Sequence, residues 1–117
     1  MAEVTKSTVE KLLGDVPQDK RFLCQDGRVI KNLHELEIAL KDMGEETFRN
    51  HANEAKNDFA NWVKDVVGDE KLSSDLLKSA TRLKSAKKVA DRITWLRSKL
   101  ARAAEWSPLF RPPVWPF

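Results

Sequence analysis

His51, Asp58 and Asp65 stand seven residues apart in turn, with Trp62 between the last two. A histidine near carboxylates is the raw material of an acid–base pair or of half a metal site. Along one continuous helix, however, a seven-residue separation is about 10 Å. That distance forbids direct contact, so the spacing favours hydrogen bonds from His51 and Asp58 to neighbouring segments at the core edge. The alternative, a small enzyme or ligand-binding domain centred on His51 and Asp58, requires a pocket between this helix and the residues near 20–31. Asn50, Asn53, Asn57 and Asn61 crowd the same stretch although asparagine is a mediocre helix former. They can present amides to a ligand, but bonding to adjacent loops or facing water is the commoner use.

Other reactive types lack the company that chemistry needs. Cys24 has no His, Lys or second Cys beside it to lower its pKa, so it reads as buried filler. Ser73 and Ser74 sit in no nucleophile motif, and Gly14, Gly27, Gly44 and Gly68 build no phosphate-cradling loop. The expectation is a non-enzymatic chain with no catalytic residues, no metal and no cofactor.

Charge points elsewhere. Residues 1–70 carry 10 Lys/Arg against 15 Asp/Glu, whereas residues 71–117 carry 11 against 3. Such segregation suits an acidic partner for the second half, unless the two halves neutralise each other within one fold. At about 100° per residue, Leu83, Ala86, Val89, Ala90, Ile93, Leu96, Leu100 and Ala103 share one arc and should pack inward. Lys84, Lys88, Arg92, Lys99 and Arg102 fall opposite, with Trp95 among them and Trp106 projecting to the same side. Cations with aromatics suit nucleic acid, the former for phosphate and the latter for base stacking.

The tail from Ser107 to Phe117 holds four of the five prolines together with Leu109, Phe110, Val114, Trp115 and Phe117. It should be extended and stiff, yet it is too apolar for a solvated linker. Folding back over Trp95 and Trp106, docking into another protein and self-association are the competing uses. A membrane surface ranks below them, because the apolar face of the last helix is committed to the core. The first choice of function is therefore a non-enzymatic interaction module using Trp95, Trp106, Leu109, Phe110, Trp115 and Phe117. Nucleic-acid binding, to RNA or in association with the ribosome, through Lys84, Lys88, Arg92, Trp95, Lys99 and Arg102 is the alternative.

The elements that position these residues follow from caps and periodicity. Ser7 and Glu10 form a capping box ahead of Leu12 and Leu13, closing near Gly14. Asp26-Gly27 between short apolar runs marks a hairpin over about 20–31, with both turn residues at positive φ. Asn32, with Glu35 reaching back to it, caps a helix buried through Leu33, Leu36, Leu40 and Met43. Gly44 breaks it. One long helix then carries Phe48, Ala52, Ala55, Phe59, Trp62, Val63 and Val66 to Gly68. Asp69 caps a short helix with Leu72, Leu76 and Leu77, and Thr81 caps a last helix over Arg82–Glu105.

The run Leu33-x-x-Leu36-x-x-x-Leu40-x-x-Met43, Phe48-x-x-His51 and Asn57-Asp58-Phe59-x-x-Trp62-Val63-x-x-Val66-x-Gly68-Asp69 resembles a family of short archaeal and bacterial proteins known only as a domain of unknown function. In that family a Phe-bearing hairpin precedes a Leu-rich helix, then a His and an Asn-Asp-Phe-x-x-Trp helix. The resemblance spans roughly Phe22 to Ile93. Gly44 stands where the family often has a serine cap, and Ala52 where an aliphatic residue is common. It implies the fold boundaries and an archaeal or bacterial source, and no activity.

The expected fold is mainly α, a compact single-domain bundle of about five helices with one small β-hairpin over residues 1–106, followed by the tail over 107–117. A lone cysteine, no basic-then-apolar N-terminus and no apolar run of about 18 residues place the chain in the cytoplasm.

Overall fold

Side chains that answer the orphan N–H groups of helix starts lay out most of this structure. The computed structural model describes residues 5–79 and 81–105, with side chains as far as residue 100. Within these residues the order is α1 (Lys6–Leu13), β1 (Phe22–Leu23), β2 (Val29–Ile30), α2 (Leu33–Asp42), α3 (Glu45–His51), α4 (Asp58–Trp62), α5 (Glu70–Lys78) and α6 (Arg82–Glu105). Mainly helical with one antiparallel hairpin, the chain has the expected class, but six helices replace about five. No helix among the described residues is long and apolar enough to cross a membrane.

Asn32 accepts the Glu35 N–H at 2.8 Å, Asp69 the Leu72 N–H at 3.1 Å, and Thr81 the Lys84 N–H at 3.1 Å. These three caps stand where the sequence put them. The Glu35 carboxylate reaches back one residue further than expected, to the Lys31 N–H at 3.0 Å. The first helix departs more. Its cap is Thr5, whose hydroxyl accepts the Thr8 N–H at 3.1 Å, and Ser7 lies inside the helix. Starting there leaves Val9 and Leu12 on one buried face.

The long central helix does not exist as one element. It breaks after His51 and restarts at Asp58, with Ala52 and Asn57 paired as an isolated antiparallel bridge. Asn53 drives the break. Its side-chain oxygen accepts the N–H groups of Ala55 at 2.9 Å and Lys56 at 3.3 Å, while its amide donates to the Arg49 carbonyl at 2.9 Å. A short polar side chain thus offers the backbone partners that compete with the helical ladder. Asn57 then caps α4 by accepting the Ala60 N–H at 3.0 Å. Phe48, Ala52, Phe59, Trp62 and Val63 stay buried, but Ala55 turns to solvent.

After Trp62 the chain winds as a π-helix over Val63–Val67, and the wider turn buries Val67 where a regular helix would have buried Val66. Gly68 closes it at φ +91°, a left-handed conformation that favours glycine. In the hairpin, Phe22 pairs with Ile30 and Leu23 with Val29. Only Gly27 has positive φ there, at +95°, rather than both turn residues. The Gly27 N–H bonds to the Cys24 carbonyl and the Cys24 N–H to the Arg28 carbonyl, so the loop is a residue longer than a two-residue turn.

The core lies between α2 and α6. Leu33, Leu36, Ala39 and Leu40 face Ala86, Val89, Ile93 and Leu96, with α1 and α5 also packed on α6. Leu77 and Leu83, expected inside, are exposed: α5 buries Leu72, Ser73 and Leu76, which leaves Leu77 one step off its inward face, and Leu83 lies in the first turn of α6 ahead of the buried Ser85. Arg82 fastens this corner by donating to the carbonyls of Leu40 and Lys41 at 2.7 and 2.8 Å and to Glu45 at 2.8 Å. Ala103 and everything from Trp106 onward fall outside the residues whose side chains are described.

Because the break rests on asparagine caps, Asn57→Ala should lower stability by about 1 kcal/mol. Asn61→Ala, at an exposed position inside α4 with no side-chain cap bond, should be neutral or slightly stabilising. Urea unfolding of the two variants beside the parent checks the contrast.

Candidate functional site

Two clusters hold the residues that the sequence singled out. At the first, the break between α3 and α4 brings His51 and Asp58 together: Nδ1 lies 3.0 Å from the Asp58 carboxylate. The expected separation of about 10 Å held only for an unbroken helix. On its other side the ring accepts the Gln25 backbone N–H at Nε2, 2.9 Å away. An acceptor at Nε2 fixes the tautomer, so the proton sits on Nδ1 and is donated to Asp58. Lys56 approaches the same carboxylate oxygen at 3.0 Å, and Asn50 donates to the Gln25 side chain. Asp65 takes no part and is exposed.

The surroundings are apolar. The His51 ring meets Phe22 edge-on at 5.1 Å and Phe59 at 5.5 Å, while Phe22 stacks on Phe59 at 5.1 Å. Trp62 lies edge-on to Phe22 and donates its indole N–H to the Lys20 carbonyl at 2.8 Å. Partial burial pushes the Asp58 carboxyl upward, but hydrogen bonds from His51 and Lys56 outweigh it and hold its pKa below the ordinary range. Burial pushes the Cys24 thiol up, away from the thiolate that nucleophilic chemistry needs.

Both imidazole nitrogens are therefore engaged, which leaves no lone pair for a metal or a substrate proton. A groove of about 830 Å³ does open beside the break, between Phe48, Arg49, Asn53, Lys56, Leu77 and Thr81. A shallower one of about 210 Å³ lies between β2 and α2. Neither groove has His51 or Asp58 in its lining. Among the described residues no group of three His, Cys, Asp or Glu is placed to hold a metal ion. Of the asparagines, Asn50, Asn53 and Asn57 bond to neighbouring segments and Asn61 faces solvent.

The second cluster is the outward face of α6. Trp95 is 38% exposed there. The Arg92 guanidinium lies 4.6 Å from its ring centroid and the Lys99 ammonium 4.8 Å. Each cation adds about 0.5–1 kcal/mol at such a site, which offsets part of the cost of leaving an indole in water.

Arg92 is not a loose surface cation. It clamps Asp69 bidentately, at 2.7 and 3.0 Å, and the Asp69 side chain is 1% exposed. Asp69 was legible as the α5 cap, but nothing local in the sequence announces a partner 23 residues on. Lys84, Lys88 and Lys99 have no carboxylate within salt-bridge distance among the described residues, whereas Lys87 pairs with Asp91. Arg102, Trp106, Leu109, Phe110, Trp115 and Phe117 lie outside the residues whose side chains are described.

Arg92→Met should lower stability by about 3–5 kcal/mol, because it strands a buried carboxylate; urea unfolding measures it. A separate outcome follows from Asp58. Its depressed pKa contributes stability above the ordinary carboxylate range, and that contribution is lost as pH falls through the folded-state value. Asp58→Asn should therefore be less stable than the parent at neutral pH, with the gap between their urea midpoints closing on acidification. Comparisons with protein-family models, with curated proteins and with solved structures each find no match to this chain.

Proposed function

We propose that this chain is a non-enzymatic interaction module whose docking surface centres on Trp95 and runs on into the proline- and aromatic-rich tail. The observation that carries this reading is the outward placement of Trp95 against Arg92 and Lys99. Tryptophan and arginine are the residue types that dominate binding energy at protein interfaces. An indole held beside a clamped guanidinium loses little freedom when a partner arrives. The exposed Lys84 and Lys88 on the same helix favour a partner with an acidic rim. A reducing compartment, the cytoplasm, belongs to the same proposal, since the lone Cys24 is a buried thiol.

Nucleic acid is the second reading, favoured by Lys84, Lys88 and Lys99, which have no carboxylate partner among the described residues. Arg92 offers it little, being neutralised by Asp69. Phosphate contacts from these three lysines alone give a salt slope of about −3 on logarithmic axes.

Trp95→Ala should weaken partner capture about 30-fold, the loss expected for a hot spot of about 2 kcal/mol. Loss of the Arg92 and Lys99 contacts should also lower its stability by about 1–2 kcal/mol, so urea unfolding first establishes conditions in which both proteins are folded. The measurement is capture from native lysate by parent and variant, before and after nuclease digestion. Partner loss in the variant that persists after nuclease supports the module. Capture unchanged by the substitution refutes it, and capture abolished by nuclease transfers the function to nucleic acid.

A further inference from the structure

His51, the last residue of α3, touches both the hairpin loop and the start of α4. The bond to the hairpin depends on its protonation state in a way that the bond to Asp58 does not. At Nε2 the ring is an acceptor, and its donor is a backbone N–H that cannot turn away or change roles. A proton added at Nε2 sets two N–H groups against each other. At Nδ1 the same proton changes nothing in the geometry and strengthens the attraction to the carboxylate.

The groups around the ring can be named element by element. From the hairpin it meets the Gln25 N–H and the Phe22 ring, while the next carboxylate, Asp26, is engaged by Arg28 at 2.7 Å. From α4 it meets Asp58 and the Phe59 ring. The loop between α3 and α4 brings Lys56, 3.0 Å from the same carboxylate oxygen. On α3 itself, Arg49 is exposed and Asn50 is turned to the Gln25 side chain.

We propose that His51 is a pH-sensitive latch on the hairpin: protonation at Nε2 releases the Gln25 N–H and loosens the hairpin tip, while the ion pair with Asp58 keeps α3 joined to α4. Histidine is the side chain suited to such a switch near neutrality. The hairpin is suited to responding, since two residues per strand hold little by themselves. The latch is independent of the docking surface on α6 and stands or falls separately.

The test is an NMR titration of the full chain, between about pH 8 and pH 5, following the His51 ring and the amides of Gln25 and Ala60. Hydrogen exchange of Gln25, corrected for its intrinsic pH dependence, should accelerate on the order of tenfold across the ring's titration, the loss of one hydrogen bond. Ala60, bonded to the Asn57 cap, should keep its protection. In His51→Gln the Gln25 exchange should stay flat over the same range. Should that variant not fold, Asp58→Asn serves instead: the Gln25 exchange should still follow the titration of the His51 ring itself, since its acceptor at Nε2 is retained. Three results overturn the latch: Gln25 protection unchanged while the ring titrates, a ring neutral until the whole chain unfolds, or Gln25 and Ala60 losing protection together.

Discussion

The turn between Ala52 and Asn57 is the constraint on which the rest of the first half depends. Were the helical ladder continuous there, His51 and Asp58 would stand about 10 Å apart, and Phe48 and Phe59 would lie three turns apart on one stripe. Asn53 binds the backbone groups that the ladder would have used, and Asn57 starts a new helix. The chain doubles back enough for His51 to reach Asp58 at 3.0 Å and for Phe48 to stack on Phe59 at 5.8 Å. The hairpin then rests on the product of that fold. Its Phe22 stacks on Phe59, its Gln25 N–H bonds to His51, and the Trp62 indole holds the Lys20 carbonyl just ahead of β1. Two residues per strand cannot sustain a sheet alone, so the hairpin is as stable as this aromatic and imidazole seat.

What could be read from the sequence was what local chemistry decides. The caps at Asn32, Asp69 and Thr81, the left-handed stop at Gly68 and the buried Leu33–Met43 face all depend on residues within about one turn of each other. Class and hairpin followed from the same signals. The central break was also written locally, in Asn53 and Asn57. An apolar stripe of matching period ran through them and masked it: Phe48, Ala52, Phe59 and Trp62 satisfy the helical period and are buried although no single helix joins all four. Periodicity reports which residues face the core, not whether the backbone between them is continuous. The longer hairpin loop and the π-turn at Val63–Val67 shift register by a single residue, a change that no apolar pattern of this length resolves.

What could not be read were the long-range polar ties. Gln25 to His51, Lys20 to Trp62, Asp69 to Arg92, and Arg82 to the end of α2 join positions 23 to 42 residues apart. Each has one backbone group or one charge whose partner is chosen by the packing of the helices, so none has a signature within its own segment. They decide the candidate site more than the caps do. His51 was singled out correctly as a residue with neighbours to bind, but its role turns on Nε2, and the donor at Nε2 lies in the hairpin. Arg92 was placed on the outward cationic face, and its charge is in fact committed to a carboxylate that is 1% exposed.

That commitment bears on what the α6 face is suited to meet. A guanidinium already neutralised in a bidentate clamp gains little from a second anion, and drawing it toward a phosphate would strand Asp69 in the core. The same clamp removes the rotamer freedom that a long side chain must otherwise give up on binding. It also holds the guanidinium over the Trp95 ring, 4.6 Å from the centroid, in cation–π contact. Lys99, on a flexible stem 4.8 Å from the same centroid, has no carboxylate partner among the described residues to anchor it. On the proposed reading, a face fixed at Arg92 and looser at Lys99 would meet a shaped apolar contact with an acidic edge rather than a uniform run of phosphates.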